Sequence, residues 1–154
     1  MKYVRDYAVL LLCLCLLLSG CSGNLTWDGA ISTLEKDGFQ VEVEYVTEQD
    51  LVYCNSRFRD EISQYNYAFD FNITGYVLLV KGEGAEAVSV TITRFEKESQ
   101  AKSYWDCFTG TRVYTSDLKI AISENIVVIS DADNVGELLN LEFSSDEQVV
   151  CIAE

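Results

Sequence analysis

The feature that most restricts the fold of this chain is a short apolar run near its N-terminus, at residues 8–18. The run contains 11 apolar residues in a row, and Lys2 and Arg5 precede it. A helix of that length rises about 16 Å, roughly half the thickness of the hydrocarbon core of a bilayer. Basic residues followed by a short apolar run are typical of a secretory signal. We therefore predict that residues 1–20 are an export signal and that the later residues form the folded domain.

The apolar run leads into Leu18-Ser19-Gly20-Cys21, a tetrapeptide that resembles the lipobox of bacterial lipoproteins. In that family a dedicated signal peptidase cuts before the Cys, whose sulfur has received a diacylglyceryl group. The resemblance implies that Cys21 is the lipidation site and that residues 21–25 form a short flexible linker. It also implies lipid anchoring on the outer side of the bacterial cell membrane, where two or three acyl chains suffice for stable attachment. The alternative is an ordinary signal peptide cut near Gly20, with Cys21 unmodified.

The charge of the chain is strongly acidic, with 25 Asp and Glu against 11 Lys and Arg and a formal net charge of −14. The negative electrostatic field of such a chain repels the phosphate groups of DNA and RNA, so we expect no nucleic-acid partner. It attracts cations, so a cationic ligand or an envelope protein with a basic surface is a candidate partner besides the membrane. The alternative, which the composition favours, is surface charge that serves only solubility.

Catalysis is not expected, because the chain contains no His and so lacks Ser-His-Asp and Cys-His nucleophile pairs. Beyond the signal and Cys21, the cysteines are Cys54, Cys107 and Cys151, whose spacing matches neither a redox pair nor a zinc site. We predict structural roles for these three thiols and no cofactor. The expected function is therefore a non-catalytic binding or accessory module. Capture of a small solute or cation, calcium among them, is the alternative, and a small hydrolase using carboxylates or a Lys is a third interpretation.

Residues 26–154 show the alternating periodicities of a single small α+β domain. Thr26 and Thr47 are expected to cap two helices, and Gly38 to end the first. The strand between them alternates, which places four residues on one face: Phe39, Val41, Val43 and Tyr45. Further on, the pattern predicts a hairpin at 75–81 and 87–95, a helix at 97–108, strands at 118–123 and 126–130, a helix at 133–141 and an apolar run at 149–153.

This order of elements suggests an antiparallel or mixed sheet with the helices on one face. Strand, helix, strand, strand, helix and strand between residues 39 and 130 match the split βαβ unit of ferredoxin-like folds, with extra terminal helices.

A regular aromatic pattern at residues 65–73 is the main candidate for a binding patch. Tyr65, Tyr67, Phe69 and Phe71 alternate with polar residues and Ala68. As a strand with its aromatic side on the core, the segment is ordinary structure. As a surface loop, it has the composition of a recognition patch.

A weak candidate for a metal site is the segment 131–142, in which Asp131, Asp133 and Glu142 occupy positions 1, 3 and 12 of a calcium-loop template. Val135 stands at the fifth position, where an oxygen ligand belongs. The alternative, which the pattern favours, makes Asp131 or Asp133 the N-cap of the last helix. In that interpretation three leucines face the core: Leu138, Leu139 and Leu141.

Overall fold

The computed structural model describes residues 24–63, 69–110 and 118–143, which form one antiparallel sheet and four α-helices. In chain order the elements are α1 (Trp27–Lys36), β1 (Gln40–Tyr45), α2 (Glu48–Ser63), β2 (Ile73–Lys81), β3 (Val88–Phe95), α3 (Glu98–Gly110), β4 (Lys119–Ser123), β5 (Ile126–Ser130) and α4 (Val135–Leu139). A short 3₁₀ turn, Gly84–Glu86, separates β2 from β3. The predicted α+β class is confirmed. Cys21, Tyr65, Tyr67, Cys151 and the apolar run at 149–153 lie outside the described residues.

The strands are arranged in the order β1-β2-β3-β5-β4, and every neighbouring pair is antiparallel. The suggested ferredoxin-like order is therefore wrong, because a split βαβ unit needs two parallel strands with another strand between them. Here β1 ends at Tyr45, which pairs with Tyr76 close to the start of β2. The connection containing α2 thus leaves and re-enters the sheet at the same end, so the two strands it joins are antiparallel neighbours.

Helices cover both faces of the sheet. On the first face α1 and α4 pack over six strand residues, which are Val77, Leu79, Val90, Ile92, Ile126 and Val128. On the second face α2 and α3 pack over another set, which includes Ile73, Phe95, Ile120 and Val127. The expectation of helices on one face is wrong, because β2 and β5 carry apolar side chains at consecutive positions and both sides must be shielded from water.

The helix starts follow the predicted capping. The Thr26 hydroxyl accepts a hydrogen bond from the Gly29 N–H at 3.2 Å, and the Thr47 hydroxyl accepts one from the Asp50 N–H at 3.3 Å. Gly38 follows α1 with a φ of +94°, a left-handed conformation that glycine adopts without strain. Among the described residues, no helix is both long and apolar enough to cross a membrane.

The strand β1 contains a bulge that the sequence pattern does not reveal. Val41 pairs with Leu79 of the first face, whereas Val43 pairs with Leu78 of the second face, so Glu42 is the extra residue between them. The four residues expected on one face, Phe39, Val41, Val43 and Tyr45, are therefore divided between the two faces. The bulge turns Val43 and Tyr45 toward α2.

Candidate functional site

A groove of about 350 Å³ lies between α2 and α3, on the second face of the sheet, and it is more enclosed than the cavities lined by Asn55 and by Asp60. Strand side chains form its floor: Val43, Tyr45, Tyr76, Leu78, Thr91 and Ile129. Helix side chains form its walls: Cys54, Arg57, Phe58 and Glu61 from α2, and Tyr104 and Phe108 from α3. We call this feature the aromatic groove. It exists because the two helices share one sheet face but leave a strip of apolar floor between them.

Aromatic rings make a continuous lining from β1 to α3. The Tyr45 and Tyr76 rings are stacked with centroids 5.7 Å apart, and the Phe58 ring meets Tyr76 edge-on at 5.7 Å. Phe58 also contacts Tyr104 at 5.8 Å, and Tyr104 contacts Phe108 at 6.3 Å. Such pairs stabilise one another by about 0.5–1.5 kcal/mol beyond the area they bury. The groove therefore presents a preformed apolar surface.

The hydroxyls of Tyr76 and Tyr104 are uncharged at neutral pH. Burial raises the pKa of Tyr76, and a hydrogen bond with Thr91 opposes this only in part. Burial also raises the pKa of Tyr104 well above its ordinary value, and the nearby Glu61 charge adds to the rise. Both phenols thus act as hydrogen-bonding groups on an apolar surface and not as acids or bases.

The thiols beside the groove are protonated and buried. Cys54 and Cys107 are both free, with exposed fractions of 2 % and 4 %. Burial raises the pKa of Cys54 to about 11, with Arg57 opposing the change, and burial also raises the pKa of Cys107. Because the thiolate is the nucleophile, neither Cys is suited to covalent catalysis.

We expect Cys54 to react about 100-fold more slowly with a maleimide at pH 8 in the folded chain than in denaturant. The shift from 9.0 to about 11 reduces the thiolate fraction by that factor. Peptide mapping by mass spectrometry measures labelling at this residue alone. The same shift predicts that stability falls as the pH rises above about 9, because the unfolded state then releases the thiol proton first. Rapid labelling of the folded chain at pH 8 would contradict the assignment.

Two opposite charges stand at the mouth of the aromatic groove. Arg57 and Glu61 lie one turn apart on α2, and both side chains are exposed. Within the described ranges, neither takes part in a hydrogen bond or an ion pair, not even with the other. Their charges also act on buried groups. Arg57 lowers the pKa of the Cys54 thiol in part, and Glu61 raises the pKa of the Tyr104 hydroxyl.

The predicted aromatic patch is core where the structure describes it. Phe71 has an exposed fraction of 2 %, contacts Phe95 with ring centroids 6.3 Å apart and lies under the Arg59 guanidinium at 5.5 Å. Phe69 is partly buried against Phe71. Residues 69–72 have no regular secondary structure, and β2 begins only at Ile73. The described half of the patch thus supports the second face and does not line the aromatic groove.

The calcium-loop candidate is not assembled. The Asp131 carboxylate accepts hydrogen bonds from the Ser89 N–H at 2.5 Å and from the Ser89 hydroxyl at 3.3 Å, so it fastens β3 to the end of β5. Asp133 forms an ion pair with Lys119, which lowers the pKa of this carboxyl, and Glu142 is exposed. The described ranges contain no group of three Asp, Glu, Cys or His that could hold a metal ion. This candidate is therefore wrong.

The last helix is shorter than expected and begins differently. Its N-cap residue is Asn134, with no side-chain cap, so the expectation of a cap by Asp131 or Asp133 is wrong. The reason is that both carboxylates already have partners elsewhere in the fold. The expected leucines do face the core: Leu139 is buried, and Leu138 and Leu141 pack against the first face.

The residues of the aromatic groove were not recognised as a site from the sequence. Tyr45, Arg57, Tyr76 and Tyr104 come from four elements, and the patterns assigned each of them correctly to a strand or a helix. No local signal shows that α2 and α3 share a sheet face. Comparisons of the chain with known protein families, with curated proteins and with solved structures give no match. The chemistry of the groove is thus the basis for assigning it a role.

Proposed function

We propose that this protein is a lipoprotein anchored to the outer side of a bacterial cell membrane, with a domain that acts as a non-catalytic binding module. The observation that carries the proposal is the position of Cys21, which directly follows the predicted export signal and precedes Asn24, the first described residue, by three positions. Leu18, Ser19 and Gly20 complete the lipobox pattern. The aromatic groove supports the binding half of the proposal.

The short link places one end of the sheet close to the anchor. Three residues span at most about 11 Å, so Asn24 stays within that distance of Cys21. The Asn24 amide donates a hydrogen bond to Glu124 in the turn between β4 and β5. Trp27, at the start of α1, packs against Gly75 near the start of β2. This tethered end of the sheet would face the bilayer.

The aromatic groove lies on a side of the domain that such tethering leaves open. Its floor extends from Tyr45 and Tyr76, close to the tethered end of the sheet, to Leu78 and Thr91, nearer the middle of β2 and β3. A ligand can therefore approach parallel to the membrane surface. Anchoring raises the effective concentration of the module toward other membrane-bound molecules, so modest affinity is enough.

The chemistry of the groove favours binding over hydrolysis. A glycoside hydrolase that uses carboxylates needs two acids facing one cavity, about 5–9 Å apart. The aromatic groove contains a single carboxylate, Glu61, together with the uncharged Tyr76 and Tyr104 and protonated Cys54. These groups can orient a ligand but offer no pair of acid and base.

A small solute is the second candidate partner beside an envelope protein, and the size of the groove favours it. Small-molecule pockets have volumes of about 300–1,000 Å³ and are mostly apolar with a few placed polar groups. The aromatic groove, at about 350 Å³, falls at the lower end of this range.

Replacing Cys21→Ser is expected to abolish lipid attachment and to move the protein out of the membrane fraction or block its processing. Without the Cys sulfur there is no atom to receive the diacylglyceryl group. Labelling with an alkyne fatty acid, followed by cell fractionation, measures both effects. The Cys15→Ser chain is the matched control, because it removes a thiol from the apolar run and leaves the lipobox intact. Retained labelling of the Cys21→Ser chain would overturn the anchoring proposal.

The binding role is tested by cross-linking the tagged chain in cells and identifying recovered proteins by mass spectrometry. We expect specific recovery of an envelope protein with the anchored chain and much less with the Cys21→Ser chain. Equal recovery from both forms would argue against a role that depends on the tether.

A further inference from the structure

The mouth of the aromatic groove carries two opposite charges that have the spacing to pair but do not pair. Residues four apart on a helix have Cβ atoms about 6 Å apart, within reach of one another for side chains as long as Arg and Glu. Arg57 and Glu61 have this spacing, yet no ion pair joins them in the described structure. Both line the groove, and below them are the rings of Phe58, Tyr76 and Tyr104.

Three simple ligand classes fit this arrangement poorly. An anion would pair with Arg57 but would meet the Glu61 carboxylate and the field of a chain with net charge −14. A cation would pair with Glu61 but would meet the Arg57 guanidinium. A neutral apolar molecule would fill the ring-lined floor and partly desolvate both charges without pairing either, which is costly.

We propose that the aromatic groove binds a small zwitterion with an apolar side chain, of the kind represented by a free apolar amino acid. Its carboxylate pairs with Arg57, its ammonium pairs with Glu61, and its side chain packs on the rings of Tyr76 and Tyr104. Both pairs are charge-assisted hydrogen bonds, which are about twice as strong as neutral ones. The ligand thus satisfies both charges and covers the apolar floor at once.

Size and polarity agree with this ligand class. The groove volume of about 350 Å³ suits a molecule of amino-acid size better than a larger one. The floor consists mostly of rings and aliphatic side chains, so it makes few polar demands on the ligand's side chain. This proposal deepens the proposed binding role and is independent of the lipid anchor.

The test is calorimetric titration of the full chain, purified in mild detergent, at pH 7. The probes are L-phenylalanine and L-leucine, N-acetyl-phenylalanine, which lacks the ammonium, phenylalaninamide, which lacks the carboxylate, and glycine, which lacks the side chain. We expect binding of the two apolar amino acids and affinities at least tenfold weaker for each of the other three probes.

Protein variants assign the two charges. Arg57→Gln should weaken phenylalanine binding at least tenfold and leave the weak binding of phenylalaninamide unchanged. Glu61→Gln should weaken phenylalanine binding equally and leave N-acetyl-phenylalanine unchanged. The controls are Lys36→Gln and Glu35→Gln, both on the last turn of α1 and neither lining the groove. They change the net charge by the same amounts and should bind like the original chain.

Three outcomes would overturn the zwitterion site: no heat from either apolar amino acid with a chain that still melts cooperatively, equal affinity for N-acetyl-phenylalanine, or an equal loss in the control variants. If the cross-linking experiment nevertheless recovers an envelope protein, the proposed binding role stands and only the ligand class is wrong. If neither experiment finds a partner, both proposals fail.

Discussion

Replacing Asn55→Ala is expected to lower the free energy of unfolding by about 2–4 kcal/mol, although Asn55 has no part in the aromatic groove. Asn55 is 7 % exposed, and its side-chain amide acts as a substitute for a missing strand. Its Oδ1 accepts a hydrogen bond from the Ile73 N–H at 2.8 Å, and its Nδ2 donates to the Ile73 carbonyl at 3.0 Å and to the Leu51 carbonyl at 2.8 Å. Ile73 begins β2 beyond the last residue of β1, so no strand residue supplies these bonds.

The expected loss comes from two backbone groups of Ile73 left without partners, each of which costs about 1–3 kcal/mol when buried. Two such groups cost about 2–6 kcal/mol together. Because Asn55 and Ile73 line an open cavity through which water can reach these groups, we expect a loss in the lower part of this range, about 2–4 kcal/mol. Urea denaturation followed by circular dichroism measures the change. The matched control is Asn72→Ala, an exposed Asn on the same cavity, for which we expect a change within about 0.5 kcal/mol. Equal stability of the two variants would contradict the strand-substitute role.

Replacing Phe95→Ala is expected to cost about 3–5 kcal/mol, the largest effect of a single substitution among those considered. Phe95 has no exposed surface, is the last residue of β3 and belongs to the core of the second face. The centroid of its ring lies 5.3 Å from that of Tyr104 and 6.3 Å from that of Phe71. Removing the ring therefore leaves a cavity between α3 and the sheet. Because Tyr104 is a wall of the aromatic groove, ligand binding should weaken together with stability.

Two variants make this result interpretable. Phe95→Leu retains much of the volume and should cost less than half as much, since the residual cavity is smaller. Val52→Ala removes a side chain that is 68 % exposed and should change stability by about 0.5 kcal/mol or less. The same urea titration applies to all three chains. A Phe95→Ala chain as stable as Val52→Ala would show that the second face is not the core described here.

Local sequence patterns predicted most of the secondary structure, because helix caps, turns and short strands depend on residues a few positions apart. Thr26 and Thr47 cap helices through bonds to residues three positions away, so their role depends only on neighbouring sequence. Gly38 ends α1 because its backbone adopts a positive φ that glycine tolerates. The expected strand at residues 126–130 was found with the same bounds, since a short run of β-branched residues is a strong local signal.

The expectations that failed depended on distant partners. The bulge at Glu42 changes which face Val43 and Tyr45 occupy, and it is detectable only through the pairing of β1 with β2. Asp131 resembles a metal ligand in the sequence, but its carboxylate is satisfied by Ser89, 42 positions earlier. The predictions of an export signal and of lipidation at Cys21 stay predictions.

By itself, the sequence determined the α+β class, the caps of the first two helices and the approximate bounds of the elements, because each depends on composition or on residues a few positions apart. The tertiary structure alone decided the strand order, the division of helices between two faces, the strand-substitute role of Asn55 and the aromatic groove. The physical reason is that the groove joins side chains from strands and helices up to 86 residues apart in the chain, from Val43 to Ile129. These side chains come together because the strands pair in a particular order and because helices must cover both apolar faces of the sheet. The periodicity of a short stretch of sequence contains information on neither.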